Sequence, residues 1–258
     1  MTEIRPIQES EAETFLELLC GVFSLDYSRA RGIFFTEPLY DLKRKWALFE
    51  GREMVSVLTT SPLIFGWGRA FGIAGVATKP DRRREGHASK LLERVFHESS
   101  LMGETGALLF AKDLSVYERN GFEALDRVVR APLVLAPEEK LPASYDHQQV
   151  HCLYDKWAEA HGDRLRRDAR RWRYWGWHYR VCSPFQNGYL CTEPGVLREA
   201  IYETPVPSLA LPNGTEWFGT TFMADQLEIP LAASPTVDLY LMGRNIPGVP
   251  QMFMTDQF

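Results

Sequence analysis

The sequence predicts an α/β fold, with helices packed on a mixed sheet, and it predicts two domains. First, 258 residues of which 45% are hydrophobic can fill one large core or two ordinary ones. Second, the first half alternates apolar residues at helical spacing with short apolar runs, in the order β-α-α-β-β-β-α-β-α-β. Third, a stretch rich in Pro, Glu and Lys at 136–142 marks a boundary between domains 1–135 and 136–258.

The first half begins with a strand at 4–7 and a helix whose N-cap is predicted at Ser10, because Glu13 follows at the capping-box spacing. A second helix ends near Leu42. Strands are expected in "KWALFEG", "EMVSVLTTSPLIFGW" and "RAFGIAGVAT", which form an antiparallel meander. The helix "HASKLLERVFHESSLMG" ends at Gly103, "GALLFA" is a buried strand, and the helical turn "SVYERNG" leads into a last strand.

The second half begins with two helical patterns, "VHCLYDKWAEAHG" and "DRLRRDARRWRYWGWHYR", and continues with strands in "GYLCTE", "LREAIYE" and "DLYLMGR". In the second helix Leu165, Ala169, Trp172 and Trp175 fall on one stripe. This spacing predicts buried tryptophans and a solvated arginine face.

Composition excludes several classes of protein. A net charge of -5 argues against a surface matched to nucleic acid or to anionic membrane. Four cysteines without a CxxC pair indicate reduced thiols and a cytoplasmic protein. The amino terminus has no apolar signal region and no run of about 18 apolar residues occurs, so neither export nor a membrane span is expected. The six histidines lack zinc-ligand spacing, so no metal is expected.

The loop "KPDRRREG" joins a strand that ends at Thr78 to a helix that begins near His87. A helix amino terminus exposes unpaired N–H groups and a partial positive charge, which suits a phosphate. Gly86 lets an anion approach the backbone, and Arg83 and Arg84 add forked donors. The alternative is a turn whose arginines are merely solvated.

Two motifs resemble the GNAT superfamily of acyl-CoA-dependent N-acetyltransferases. Residues 83–88 match the pattern [Q/R]-x-x-G-x-[G/A] between a strand and a helix, and "VYERNGF" is similar to the "lYekxGF" segment of that superfamily. The resemblance implies an enzyme that transfers an acetyl group from acetyl-CoA directly to an amine. It also implies that backbone groups of Val76 and Thr78, with Ala77 between them, meet the pantetheine arm. The residues that wrap the diphosphate would be Arg83, Arg84, Glu85, Gly86, His87, Ala88 and Ser89.

The resemblance further implies that Tyr117 protonates the departing thiolate, since a phenol with a pKa of about 10 is protonated at neutral pH. The alternative is a tyrosine that fills core. Phe110 stands where many members have a cofactor-binding asparagine, and the fourth predicted strand lacks the glutamate that some use as a general base. A water relay or a carboxylate from elsewhere must then take the proton.

The triple-arginine loop, the segment "FSLDY" and a second half without a CoA motif resemble the enhanced intracellular survival (Eis) type, which has tandem GNAT-like domains. Its third, sterol-carrier-like domain does not fit in 258 residues. This resemblance implies that the second domain shapes the acceptor cleft and that the terminal carboxylate of Phe258 lies near the acceptor amine as a base. The alternative is that Phe253 and Phe258 only pack. Asp26 and Glu37 are expected to line the acceptor cleft.

Two rival functions stay open. One is a non-catalytic acyl-CoA-binding sensor, and the other is a nucleic-acid-binding protein that uses the Arg/Trp segment 164–180. For the enzyme, the partners expected are a small-molecule or peptide amine, with no nucleic acid and no membrane. A homo-oligomer is one alternative for the assembly.

Overall fold

The computed structural model describes residues 2–137 and 144–258, and most of the predicted boundary at 136–142 lies outside them. The helices are α1 (Ala12–Phe23), α2 (Tyr27–Phe34), α3 (His87–Leu101), α4 (Ser115–Glu118), α5 (His147–Glu159), α6 (Ala169–Trp177) and α7 (Thr221–Gln226). The strands are β1 (Thr2–Pro6), β2 (Lys45–Glu50), β3 (Glu53–Phe65), β4 (Gly68–Thr78), β5 (Glu104–Ala111), β6 (Glu123–Pro132), β7 (Val181–Phe185), β8 (Gly188–Glu193), β9 (Val196–Ile201), β10 (Glu216–Thr220) and β11 (Thr236–Arg244). The order of elements in the first half is the predicted one.

The described strands form one mixed sheet in the order β1-β2-β3-β4-β5-β11-β6-β10-β9-β8-β7. Strands β2 to β4 are the predicted antiparallel meander, β1 is antiparallel to β2, and β4 runs parallel to β5. Strand β11, from the end of the chain, lies between β5 and β6 and is antiparallel to both. The predicted mixed α/β fold is confirmed, and the two halves of the chain share its sheet. The division at 135 stays a prediction.

Helices cover both faces of the amino-terminal strands. Phe15 and Leu16 of α1 pack with Val57 of β3, whereas Leu91 and Leu92 of α3 pack with Leu58. Successive residues of a strand point to opposite faces, so α1 and α3 lie on opposite sides of the sheet. The first half is therefore a three-layer unit.

The core of the second half is rich in aromatic rings. Trp172 and Trp175 of α6 are buried with Tyr154 of α5, Tyr189 of β8 and Trp217 of β10. The prediction of buried tryptophans in this segment is confirmed. Burial of these rings removes large apolar areas from water and anchors α5 and α6 to the sheet.

The predicted N-cap at Ser10 is wrong. A short 3-10 turn, Glu9–Glu11, precedes α1, and the capping box joins Gln8 to Glu11. Arg5 holds the Glu11 carboxylate with two hydrogen bonds of 2.7 Å. Glu13 is engaged elsewhere, because its carboxylate accepts from Arg31. A contact with the preceding strand decides the start of the helix.

The predicted helix over 163–180 is shorter, and its arginines are only partly solvated. The backbones of Arg164 and Arg166 form isolated β-bridges with Gln251 and Ile64, respectively. Helix α6 begins only after Asp168, whose side chain accepts a hydrogen bond from the Arg171 amide. Arg167 and Arg171 are buried, while Ala169 of the predicted apolar stripe is exposed. Buried acidic groups elsewhere in the chain attract these arginines inward.

Candidate active site

A cleft opens where β4 leaves β5. Their parallel pairing begins at Arg69 with Glu104 and ends at Ile73 with Leu109, although β4 continues to Thr78. The β3 pairing shifts register between Val57 and Thr59, and Gly75 at this bulge has a φ of +61°. Bulges bend a strand and interrupt its ladder. One edge of β4 after the bulge is thus without a partner strand in the described residues.

The backbone of Val76 and Thr78 faces this unpaired edge. The Lys79 amide donates to the Val55 carbonyl of β3 at 2.9 Å. Backbone groups alternate in direction along a strand, so Ala77 also faces β3 and its two neighbours face away. The Ala77 carbonyl accepts from the Ser56 hydroxyl at 3.1 Å. Of the three residues predicted here, two present free backbone groups to the cleft.

The loop after β4 delivers the chain to the amino terminus of α3. Gly86 is the N-cap residue with a φ of 79°, and Arg84 also has a positive φ of 70°. A Cβ placed on Gly86 would meet no atom within 4 Å, so open space lies in front of this turn. Arg83 and Arg84 are exposed, whereas Ala88 and Ser89 are half-buried in the first turn. Free amides, a helix dipole and two cations suit a diphosphate.

Arg82 has a structural role that the sequence analysis missed. Its guanidinium donates to Glu50 at 2.5 Å and to Glu85 at 3.0 Å. Glu85 also contacts the buried His87, whose Nε2 lies 3.0 Å from the carboxylate. Arg82 and then His87 lower the pKa of Glu85. These contacts pair the Glu85 carboxylate with Arg82 and His87 and hold the loop in position.

Tyr117 lies on the short helix α4, across the cleft from β4. Asp113 begins this helix by accepting from the Ser115 amide at 2.9 Å. The Tyr117 ring makes an edge contact with Phe122, and both Tyr117 and Val76 pack against the core under α3. Burial, and next Asp113, raise the pKa of Tyr117. The phenol is therefore protonated at neutral pH and able to donate.

A cavity of about 190 Å³ adjoins the bulge of β4. Its lining consists of Leu19, Phe34, Glu37, Leu39, Lys45, Thr59, Thr60, Ser61, Gly72, Ala74, Gly75, Tyr174 and Phe258. We name it the inner cavity. Glu37, for which the sequence predicts a place in the acceptor cleft, lines this cavity. Asp26 lines a neighbouring open groove instead, and its carboxylate caps α2 by accepting from the Arg29 amide at 2.7 Å.

Phe258 is docked in the wall of the inner cavity. A Cβ on Gly72 would lie only 2.4 Å from the Phe258 ring, so glycine makes room for that ring. The ring also contacts Phe110 at a centroid distance of 5.3 Å. In the described part of the chain no salt bridge engages the terminal carboxylate. Phe110, a departure from the GNAT pattern, serves here to hold the end of the chain.

A buried cluster of charges, which we name the tail clamp, holds the residues before Phe258. Arg167 donates to Asp256 at 2.7 Å and to Glu199 at 2.6 Å, and its guanidinium lies 3.6 Å from the centre of the Tyr154 ring. Arg171 donates to the Asp256 carbonyl at 3.2 Å. Burial opposes the charge on Arg167, but Asp256 and Glu199 outweigh it and raise its pKa. The tail is fixed by charge-assisted hydrogen bonds in a dry environment.

A second cavity, of about 310 Å³, lies on the other side of the terminal residue. We name it the outer cavity. Its lining consists of Tyr174, His178, Arg180, Glu193, Arg198, Met254, Thr255, Gln257 and Phe258. Tyr174 and Phe258 border both cavities, and the Tyr174 hydroxyl donates to the Gln257 carbonyl at 3.3 Å. No sequence pattern pointed to this cavity, because its lining comes from four separate segments.

Among the residues that the structure describes, no helix is long and apolar enough to cross a membrane. Within the same ranges, 2–137 and 144–258, no cluster of three or more His, Cys, Asp or Glu side chains could hold a metal ion.

Comparison with known proteins assigns the fold. Residues 3–125, slightly less than half of the chain, match the family model described as Acetyltransferase (GNAT) domain. A GCN5-related N-acetyltransferase from Kribbella flavida has a TM-score of 0.75 and 15% identity, and the match covers 94% of this chain and 71% of that one. A putative acetyltransferase from Pyrococcus horikoshii has a TM-score of 0.69 and 14% identity, with 97% and 91% covered. Eis1 from Mycobacterium abscessus has a TM-score of 0.61 and 15% identity, with 93% and 73% covered.

No curated protein matches the sequence. At these identities the solved structures establish the fold alone. The chain therefore shares the fold of these acetyltransferases over nearly its whole length, and residues 3–125 match the GNAT acetyltransferase domain.

Proposed function

We propose that this chain is an acetyl-CoA-dependent N-acetyltransferase that moves an acetyl group directly to an amine. The observation that carries the proposal is the unpaired edge of β4, which leads through a glycine turn to the amino terminus of α3. The pantetheine arm of acetyl-CoA is an extended chain with amide groups, and it leads to a diphosphate. The arm matches the unpaired edge of β4, and the diphosphate matches the amino terminus of α3. The GNAT match over residues 3–125 supports the same assignment.

The residues that would hold acetyl-CoA follow from this geometry. Free backbone groups of Val76 and Thr78 pair with the pantetheine amides, as a further strand would. The turn from Arg83 to Ser89 binds the diphosphate with backbone amides and two guanidinium groups. When bound, acetyl-CoA supplies an activated thioester carbonyl. An amide of β4 at the unpaired edge stabilises the negative charge on its oxygen in the transition state.

Proton transfer needs an acid and a base. Tyr117 carries its proton at neutral pH and donates it to the leaving sulfur. The acceptor arrives largely as an ammonium ion, with a pKa of about 10. We propose that the terminal carboxylate of Phe258 accepts the proton, directly or through water. Its support is the docked ring on Gly72 and the tail clamp, which together fix the end of the chain at the inner cavity.

The second half is proposed to shape the acceptor cleft, as in the Eis type, because Tyr174 and Phe258 line both cavities. The nucleic-acid alternative loses its support, since Arg167 and Arg171 of the Arg/Trp segment are buried in ion pairs. We also propose a cytoplasmic location. All four cysteines are free thiols, although Cys182 and Cys191 are neighbours on β7 and β8.

Gly86→Glu is expected to abolish the rise in melting temperature that acetyl-CoA causes. A ligand at 100-fold its Kd stabilises the native state by about 2.7 kcal/mol. The new carboxylate would occupy the open space proposed for the diphosphate and repel it. Differential scanning fluorimetry with and without acetyl-CoA measures the effect.

Gly86→Ala is the matched control, because it carries the same strain at a positive φ without the charge. It should keep most of the shift. If Gly86→Glu is stabilised by acetyl-CoA as much as the parent, this loop does not bind the cofactor. If the shift survives in the parent but no amine panel is acetylated, the chain is the acyl-CoA sensor instead.

Two glycines added after Phe258 are expected to lower kcat while acetyl-CoA binding persists. They move the carboxylate by up to about 7 Å and leave the ring free to pack. Phe258→Ala is the complementary variant, since it keeps the carboxylate and removes the ring from Gly72. Steady-state kinetics and melting temperatures separate the two effects. Full kcat and acceptor KM in the extended chain would show that the carboxylate takes no part.

A further inference from the structure

Two guanidinium groups line the outer cavity. Arg180 and Arg198 lie there together with one acidic side chain, Glu193, and with the terminal residue Phe258. Glu193 bridges the two, with its oxygens 3.2 Å from Arg180 Nε and 2.6 Å from Arg198 Nε. Arg130 lies next to this group, because its guanidinium and that of Arg198 both lie over the Phe218 ring, at 4.1 and 5.0 Å. Glu193 thus pairs with two guanidinium groups, and a third lies beside Arg198 on the Phe218 ring.

Arg180 and Arg198 differ in whether their terminal N–H donors already have hydrogen-bond partners. Arg180 is nearly buried and donates to the carbonyls of Trp175 and Thr255, so it is part of the wall. Arg198 is held by Glu193 at Nε and by Phe218 at its face. In the described ranges of the chain no hydrogen bond engages its terminal nitrogens. A guanidinium has five N–H donors in a planar fork that matches a carboxylate or a phosphate.

His178 lines the same cavity, and the neighbouring charges affect its pKa. Burial lowers its pKa first, and the positive charge of Arg180 lowers it further, while Glu193 acts in the opposite direction. The imidazole is neutral at neutral pH and does not repel a cation or attract an anion strongly. The guanidinium groups therefore determine which ligands the cavity attracts.

The outer cavity adjoins the proposed chemistry. Phe258 and Tyr174 separate it from the inner cavity, and both residues line both spaces. A small molecule seated in the outer cavity can extend past Phe258, the residue that carries the terminal carboxylate. Glu37 lies on the far side, at the inner cavity, where its carboxylate pairs with the buried Lys45 Nζ at 3.4 Å. From the outer cavity inward, the guanidinium of Arg198 is followed by the terminal residue with its carboxylate, an order that is complementary to an anionic group followed by an ammonium.

We propose that the outer cavity binds the anionic group of the acceptor, so that the substrate class is a small amine that also carries a carboxylate or a phosphate. This rests on the proposed acetyltransferase function and deepens it. Arg198 forms a bidentate pair with the anion, and Arg180 supports it from the wall. The inner cavity then receives the amine.

The experiment compares three matched series of increasing chain length: ω-amino carboxylates, ω-aminoalkyl phosphates and uncharged ω-amino alcohols. We expect kcat/KM for one charged series to exceed that of the alcohols by roughly 10-fold or more, as for a charge-assisted hydrogen-bonded pair. The preferred series distinguishes carboxylate from phosphate. Arg198→Gln should remove the preference by raising acceptor KM with little change in kcat.

Arg130→Gln is the matched control, because it removes the same charge from the same ring without lining the cavity. Equal activity of the three series in the parent, or equal effects of the two variants, would overturn the proposal. Thermal shifts by the charged compounds without acetyl-CoA test the anion site even if no acetyl transfer occurs. A normal acetyl-CoA shift in Arg198→Gln separates failure of this site from failure of the proposed function.

Discussion

Replacing Arg167 by methionine is expected to lower the free energy of unfolding by about 3–5 kcal/mol, as when one partner of a buried ion pair is removed. Glu199 and Asp256 are both fully buried and both accept from this guanidinium. Without it, two buried carboxylates lose the cation that both of them bind, and Arg171 is the remaining buried cation of the tail clamp. Urea unfolding, monitored by the fluorescence of the surrounding tryptophans, measures the loss.

Two variants test the cause of that loss. Arg173→Met on the same helix changes an exposed arginine and should be nearly neutral. The triple variant Arg167→Met, Glu199→Gln, Asp256→Asn removes the unpaired charges and should recover part of the stability. If the single variant is as stable as the parent, or the triple variant is less stable than the single one, charge pairing does not hold the tail.

Replacing Tyr117 by phenylalanine is expected to lower turnover by roughly 10²-fold or more, the usual contribution of one positioned proton donor. The change removes only the hydroxyl and keeps the ring against Phe122. Acetyl-CoA should therefore still raise the melting temperature. Steady-state kinetics with the best acceptor, together with the thermal shift, measures both effects.

The pH dependence gives a second readout for Tyr117. Burial raises its pKa above the ordinary 10.0, so the parent keeps its proton donor at every pH below that value. Its rate should rise with pH as the acceptor amine loses its proton and should not fall before pH 10 on account of the tyrosine. Tyr202→Phe, in the second half, is the control and should turn over normally. Normal turnover in Tyr117→Phe would make the tyrosine a packing residue.

Local patterns in the sequence predict the first half well because its elements are consecutive neighbours in the sheet. The meander from β2 to β4 needs only period-two alternation and glycine turns. The insertion of β11 between β5 and β6 is not predictable in this way. Residues 238–244 read as a strand, but which edge a distant strand joins depends on the rest of the fold.

The same distinction separates the parts of the candidate site. Gly86 and Tyr117 belong to short motifs whose chemistry is local, so their sequence context is sufficient to select them. Arg167 reads as part of an exposed basic helix, because its partners, Glu199 and Asp256, lie 32 and 89 residues away. Arg198 stands beside Glu199 in the short strand VLREAI, which has no pattern that marks a binding site. Only the folded chain brings such residues to a common cavity.

The place of β11 in the sheet also affects how the protein is made. A ribosome adds roughly 5–20 residues per second, and β11 emerges more than a hundred residues after β5. For several seconds or longer, β5 and β6 of the nascent chain lack the strand that will lie between them. Their edges include the apolar run of Leu108 and Leu109, which is a hazard for pairing with other chains. Newly made chains should thus depend on chaperones until β11 arrives, and the two cavities form only with that last step.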